Sequence, residues 1–300
     1  MKKYQTLIAT LLVLGGSNTA SSATQASVDT DIRDGFAPTV EALESMVRVE
    51  ERILEDLPTI DASLLTPRVT ASRWTRDLNL DAVASAVADV APEKAHEEAG
   101  RILARNEHTT VRLDAERGYV RYISRERAYQ PGKALLAGFG ETKALDVAHM
   151  AVAELQVPLD EQAGDITVSE VHMAANEKDA TGEPRIYVRE TMVVIERSVN
   201  GIPVVGSELR TSVTNDGRIA RLKLRWPEFQ ITDNARRLRS SREVVKEAVA
   251  RVVAQEDRVA DVESRVVYLP VEGGFVPALE VSVIAADGDT PFLTYVSLAR

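Results

Sequence analysis

Four histidines, His96, His108, His149 and His172, are the first candidates for chemistry in this 300-residue chain. A thermolysin-type zinc peptidase carries His-Glu-x-x-His on one helix, so that both imidazoles face the metal and the Glu serves as general base. Only His96-Glu97 begins that motif, and Glu98-Ala99-Gly100 follows with no second His. With the ligand pair missing, His96 reads as a surface helix residue. His149 falls on a helical stripe with Leu145, Val152 and Leu155 and reads as packed or half-exposed. Gly206-Ser207 lacks the spacing and the strand-to-helix turn of a nucleophile elbow. Asp287-Gly288-Asp289 lacks the later ligands and distal Glu of a calcium loop, so it reads as a plain turn. No Cys is present, which removes thiol catalysis, Cys–zinc sites and disulfides. These residues predict a non-enzyme with no cofactor and no bound metal.

The stretch Arg197–Ile219 must instead be read through its turns and alternation. Asn200-Gly201 and Asn215-Asp216-Gly217 are turn signals, because these residues tolerate positive φ. Between them Val205, Ser207, Leu209, Thr211 and Val213 share one face of a strand, and Gly206, Glu208, Arg210, Ser212 and Thr214 share the other. After the second turn Ala220, Leu222, Leu224 and Trp226 point inward, with Arg221, Lys223 and Arg225 outward. The pattern predicts an antiparallel meander.

Asn200-Gly201-Ile202-Pro203-Val204, Gly206-Ser207-Glu208-Leu209 and Asp216-Gly217-Arg218 resemble the fungalysin/thermolysin propeptide motif of secreted metalloprotease prosegments. The strand leading in departs from that family, with Val194, Ile195, Glu196, Arg197 and Val199 where an Arg, an aromatic, two glutamines and a Tyr are usual. Downstream, Ser240-Ser241-Arg242-Glu243 reads as a capping box before the apolar stripe of Val244, Val245, Ala248, Val249, Val252 and Val253. Strand-like runs follow near 262–269, 275–285 and 292–298. This order resembles the PepSY module that follows the motif in such prosegments. A helix near 142–155 and a strand near 165–173 match the start of the motif's own module. The resemblance covers roughly 140–300 and implies a prosegment without its enzyme, since the chain ends at Arg300 where a protease domain would begin.

Lys2-Lys3, the apolar run Leu7–Leu14 and Ser21-Ser22-Ala23 form a secretory signal over 1–23, too short for a membrane span. Export to the periplasm or medium is the expectation. Losing Lys2 and Lys3 takes the 36 basic residues to 34 against 46 acidic ones, and the net charge from −10 to −12. That balance argues against nucleic acid and anionic membranes, and it favours a basic partner surface. Over 24–106 a helical region is expected: 37–57 ended by Pro58, 81–90, and 93–105 starting at Pro92, with loop at 66–79. A hairpin is predicted from Thr109, Val111 and Leu113 to Tyr119, Arg121 and Ile123.

The expected fold class is α+β. Two helix-on-antiparallel-sheet, cystatin-like modules (107–232 and 240–300) would follow the helical N-terminal region. The resemblance implies a binding protein that inhibits a secreted thermolysin-like metalloprotease or assists its folding in trans. The alternative is an envelope module that binds an unrelated ligand.

Overall fold

The computed structural model describes residues 40–57, 60–67, 78–89, 92, 94–127, 138–162, 164–178, 181–233, 235–255, 259–285 and 291–300. The signal at 1–23 and the turn at 287–289 lie outside these residues. Helix α1 (Val40–Asp56) stops just before the proline at 58, a residue type whose ring disfavours a helical conformation in the residue before it. Helix α2 (Leu80–Val87) is capped by Asn79, whose side chain accepts from the Ala82 N–H at 2.9 Å. Helix α3 spans Glu141–Glu154. Helix α4 (Ser241–Gln255) starts at the capping box: the Ser240 N–H donates to Glu243 Oε2 at 2.9 Å, and the Glu243 N–H to Ser240 Oγ at 3.4 Å. The Ser240 backbone bond, joined by Arg300, holds the Glu243 carboxyl down at a pKa of about 2.

Eleven strands complete the described residues: β1 (Lys94–Glu98), β2 (Arg101–Arg105), β3 (Thr109–Asp114), β4 (Tyr119–Ser124), β5 (Ile166–Lys178), β6 (Pro184–Val199), β7 (Ile202–Thr214), β8 (Ile219–Arg225), β9 (Val259–Val271), β10 (Gly274–Ala285) and β11 (Phe292–Ser297). They form one sheet in the order β1-β2-β3-β4-β8-β7-β9-β10-β11, with β6 also paired to β7 and β5 to β6. Every pairing is antiparallel except β7 with β9, which meet in parallel at Val204 and Tyr268.

The expectation of two separate helix-on-sheet modules behind a helical N-terminal region is overturned. The described residues are mostly β, built on a single mixed sheet of eleven strands with four α-helices. Three physical reasons account for the difference. The long strand β7 pairs with β8 over Glu208–Val213 and with β9 at Val204, which fuses what would have been separate sheets. The segment expected as helix at 93–105 is the β1–β2 hairpin, closed by Ala99 (φ 48°) and Gly100 (φ 72°). His96 is therefore an exposed strand residue, not a helical one. Finally, α1 packs on no helix near it in sequence among the described residues, and it buries Val49 and Ile53 against α4 and β9.

One core packs α2 and α3 on β3, β4, β6, β7 and β8 through Val111, Leu113, Val120, Tyr122, Ile195, Leu209 and Leu222. His149 lies on the exposed side of α3, while Ala144, Ala148, Ala151 and Val152 make the buried stripe. A second core packs α1 and α4 on β9–β11 through Val262, Val266, Leu279, Val281 and Val296. A small aromatic core of Tyr268, Phe275 and Phe229 joins the two. In both parts the opposite side of the sheet carries no helix of the described residues.

Candidate functional site

The hairpin tip between β6 and β7 has Asn200 at φ 54° and Gly201 at φ 78°, so both turn residues are left-handed, as a two-residue type I′ turn requires. Just past the tip the ladder breaks. Pro203 pairs with Ser198 and Glu208 with Glu196, so four residues of β7, Val204 to Ser207, stand opposite Arg197 alone. Gly206 takes φ 69° in this bulge, and Val204 turns to Tyr268 of β9. The bulge opens a cleft of about 550 Å³ on the helix-free side of the sheet.

Its walls come from both parts of the sheet. Pro203 to Glu208 and Glu196 form one wall, and Glu263, Ser264, Arg265, Glu280, Ser282, Leu293 and Tyr295 the other. The register puts Arg265, Glu280 and Tyr295 side by side on β9, β10 and β11. Arg265 Nε–H donates to Glu280 at 2.7 Å, and the guanidinium reaches Asp165 at 3.7 Å. Burial works against the Arg265 charge, but the Glu280 hydrogen bond and nearby carboxylates outweigh it and raise its pKa. Burial, then the charge and hydrogen bond of Glu280, push the Tyr295 hydroxyl up to about 12. Burial likewise raises the Glu196 carboxyl, with Arg265 pulling the other way and Asp165, Glu208 and Glu280 adding to the rise. Glu208 is neutralised by Arg210 at 2.6 Å and Lys223 at 3.8 Å. Glu196 and Glu263 have no ion-pair partner within 4.0 Å among the described residues. The cleft is thus a negatively charged slot suited to a cation.

Behind Glu196, the next residue, Arg197, is 1% exposed. Its guanidinium meets Glu161 at 2.7 Å, donates to the Pro227 carbonyl at 2.6 Å, and lies against the rings of Trp226 and Phe229. Trp226 Nε1–H also donates to Glu161, at 2.8 Å. This buried pair fixes the bulge strand to the connection leading to the second core.

The structure separates the motif residues. Pro203, Val204, Gly206, Ser207 and Glu208 line the cleft, whereas Asn200, Gly201 and Ile202 sit at the adjoining tip. Leu209 is fully buried in the first core. Asp216 and Gly217 lie at the opposite end of the 13-residue β7, about 40 Å along the strand at ordinary strand rise. There Gly217 takes φ 80°, and Thr214 Oγ1 bonds Asp216 to shape the turn. Glu196, Glu263, Arg265, Glu280 and Tyr295 were not anticipated from sequence. The available signal was a Glu in the otherwise apolar, buried run of β10.

Among the described residues no three His, Asp or Glu side chains converge to hold a metal ion, and no helix is long and apolar enough to cross a membrane. No protein-family model matches the chain, and no curated protein matches it.

Proposed function

We propose that this chain is an exported, non-enzymatic binding protein that engages a partner protein through the helix-free side of its sheet. It would act as a prosegment detached from its metalloprotease, either inhibiting a secreted thermolysin-like enzyme or assisting its folding in trans. One observation supports this most: the residues resembling the propeptide motif, Pro203 to Glu208, share a cleft with β9–β11, the region resembling PepSY. The cleft's volume lies within the small-ligand range of roughly 300–1,000 Å³, but its carboxylate-rich lining differs from the mainly apolar walls of such sites. A partner's Lys or Arg side chain, inserted between Glu196 and Glu263, suits the lining better. The test is to titrate the mature protein against thermolysin-like proteases from the same source, following peptide hydrolysis and refolding yield. Inhibition or assisted refolding at micromolar protein, weakened by filling the cleft with Ser282→Trp, is expected. If no such protease is bound, inhibited or helped to refold, the proposal fails.

A further inference from the structure

The strand register builds a feature that the net charge conceals. Arg112 of β3 stands opposite Arg121 of β4, Arg121 opposite Lys223 of β8, and Lys223 opposite Arg210 of β7. Four cations therefore form one row across four strands, at about 4.8 Å per strand. All four lie on the helix-free face, because their neighbours Val111, Leu113, Val120, Tyr122, Leu222, Leu224 and Leu209 fill the first core. Arg221 and Arg225 flank the row on β8. Around the row the carboxylates lie beneath the cations, and the exposed Glu98 is two strands away on β1: Asp114, Glu190 and Glu208 are 13%, 4% and 14% exposed, against 51%, 49% and 47% for Arg210, Arg221 and Lys223. Arg112, Arg121 and Arg225 have no ion pair among the described residues. Like charges directly opposite one another destabilise a sheet, and only Arg210 and Lys223 of the row are offset, by Glu208, so the Arg112–Arg121 pairing brings the fold repulsion with no ion pair in return.

We infer that this row is a docking surface for an acidic patch on a partner protein. The inference rests on the protein-binding function proposed above and adds the partner's chemistry. The face has two poles, since the row adjoins the acidic cleft through Glu208, which belongs to both. A partner must present carboxylates to the row and a cation to the cleft, a mixture that a protein surface carries. Nucleic acid and anionic lipid are uniformly negative and would meet the cleft with repulsion. On this face, among the described residues, Tyr119 is the one aromatic in the registers adjoining the row, too little for a base-stacking platform.

Three full-length mature proteins test this: wild type, Arg112→Gln/Arg121→Gln/Lys223→Gln, and the charge-matched control Arg236→Gln/Arg237→Gln/Arg242→Gln, whose sites are exposed elsewhere. Circular dichroism melts establish that all three fold. The probes are poly-L-glutamate, phosphatidylglycerol vesicles, a single-stranded oligonucleotide and the metalloproteases of the preceding test. Wild type and control should bind poly-L-glutamate with salt-sensitive affinity, and the row variant should bind about tenfold more weakly or worse. Equal loss in the control, or no loss in the row variant, overturns the inference. Vesicle or oligonucleotide binding tighter than poly-L-glutamate, abolished in the row variant, overturns it in favour of those ligands. Row-dependent poly-L-glutamate binding with no protease bound leaves the surface standing and removes the prosegment proposal. A protease sensitive to Ser282→Trp but not to the row variant does the reverse.

Discussion

Arg197 and Glu161 form a buried ion pair behind the cleft. Both are nearly inaccessible, and each is held by the other at 2.7 Å. Burial lowers the Arg197 pKa against the opposing pull of Glu161, and removing Arg197 leaves the buried Glu161 carboxylate without its counter-charge. Arg197→Met alone should therefore destabilise by about 3–5 kcal/mol in urea unfolding, with much of the loss recovered in Arg197→Met/Glu161→Leu. A single-variant loss under about 1 kcal/mol would mean that the pair does not anchor the bulge. Glu196, one residue away, acts oppositely. Its folded pKa is raised above the ordinary 4.5, so the fold favours the protonated acid. The stability it contributes is complete below 4.5 and is lost as pH rises through the elevated folded value. Glu196→Gln should accordingly gain on wild type between acidic and neutral pH. A constant difference across that range would contradict the assigned environment.

At the level of elements, Glu243 in the α4 capping box supplies the reverse pH dependence. With its folded pKa depressed to about 2, the advantage of wild type over Glu243→Ala should be full above 4.5 and vanish as pH falls toward 2. The two hairpin glycines should differ as well. A Cβ at Gly201 meets open space, so Gly201→Val bears only the left-handed backbone cost of about 1–2 kcal/mol. A Cβ at Gly217 would lie 2.8 Å from the Phe139 ring, so Gly217→Val should melt lower still. The cationic row predicts the unusual outcome that Arg121→Gln leaves the melting temperature unchanged or raises it, by relieving cross-strand repulsion worth roughly 0.2–1 kcal/mol.

These elements were unequally legible in the sequence. The stripe in α4, the capping box and both hairpin turns declare themselves locally, by periodicity and turn chemistry. The β1–β2 hairpin does not, because Lys94–Glu98 is polar and its turn places Ala99, a residue with no turn preference, at φ 48°.

For the whole molecule, the decisive contact was invisible in the sequence. Val204 and Tyr268 are 64 positions apart in otherwise ordinary strands, yet their pairing merges the strands into one sheet and creates the cleft. Meander positions 221, 223 and 225 were readable as outward, but only the register of four strands assembles Arg112, Arg121, Lys223 and Arg210 into a row. A formal charge of −10 likewise says nothing of a row around which the carboxylates lie beneath the cations. Hydrogen exchange on the complex with a bound metalloprotease tests the central claim most directly. Added protection should fall on 203–208, 262–265 and 292–296, with the α1 and α4 amides unchanged. Protection concentrated on α1 and α4 with the cleft strands unaffected would place the partner on the wrong side of the sheet and contradict the account.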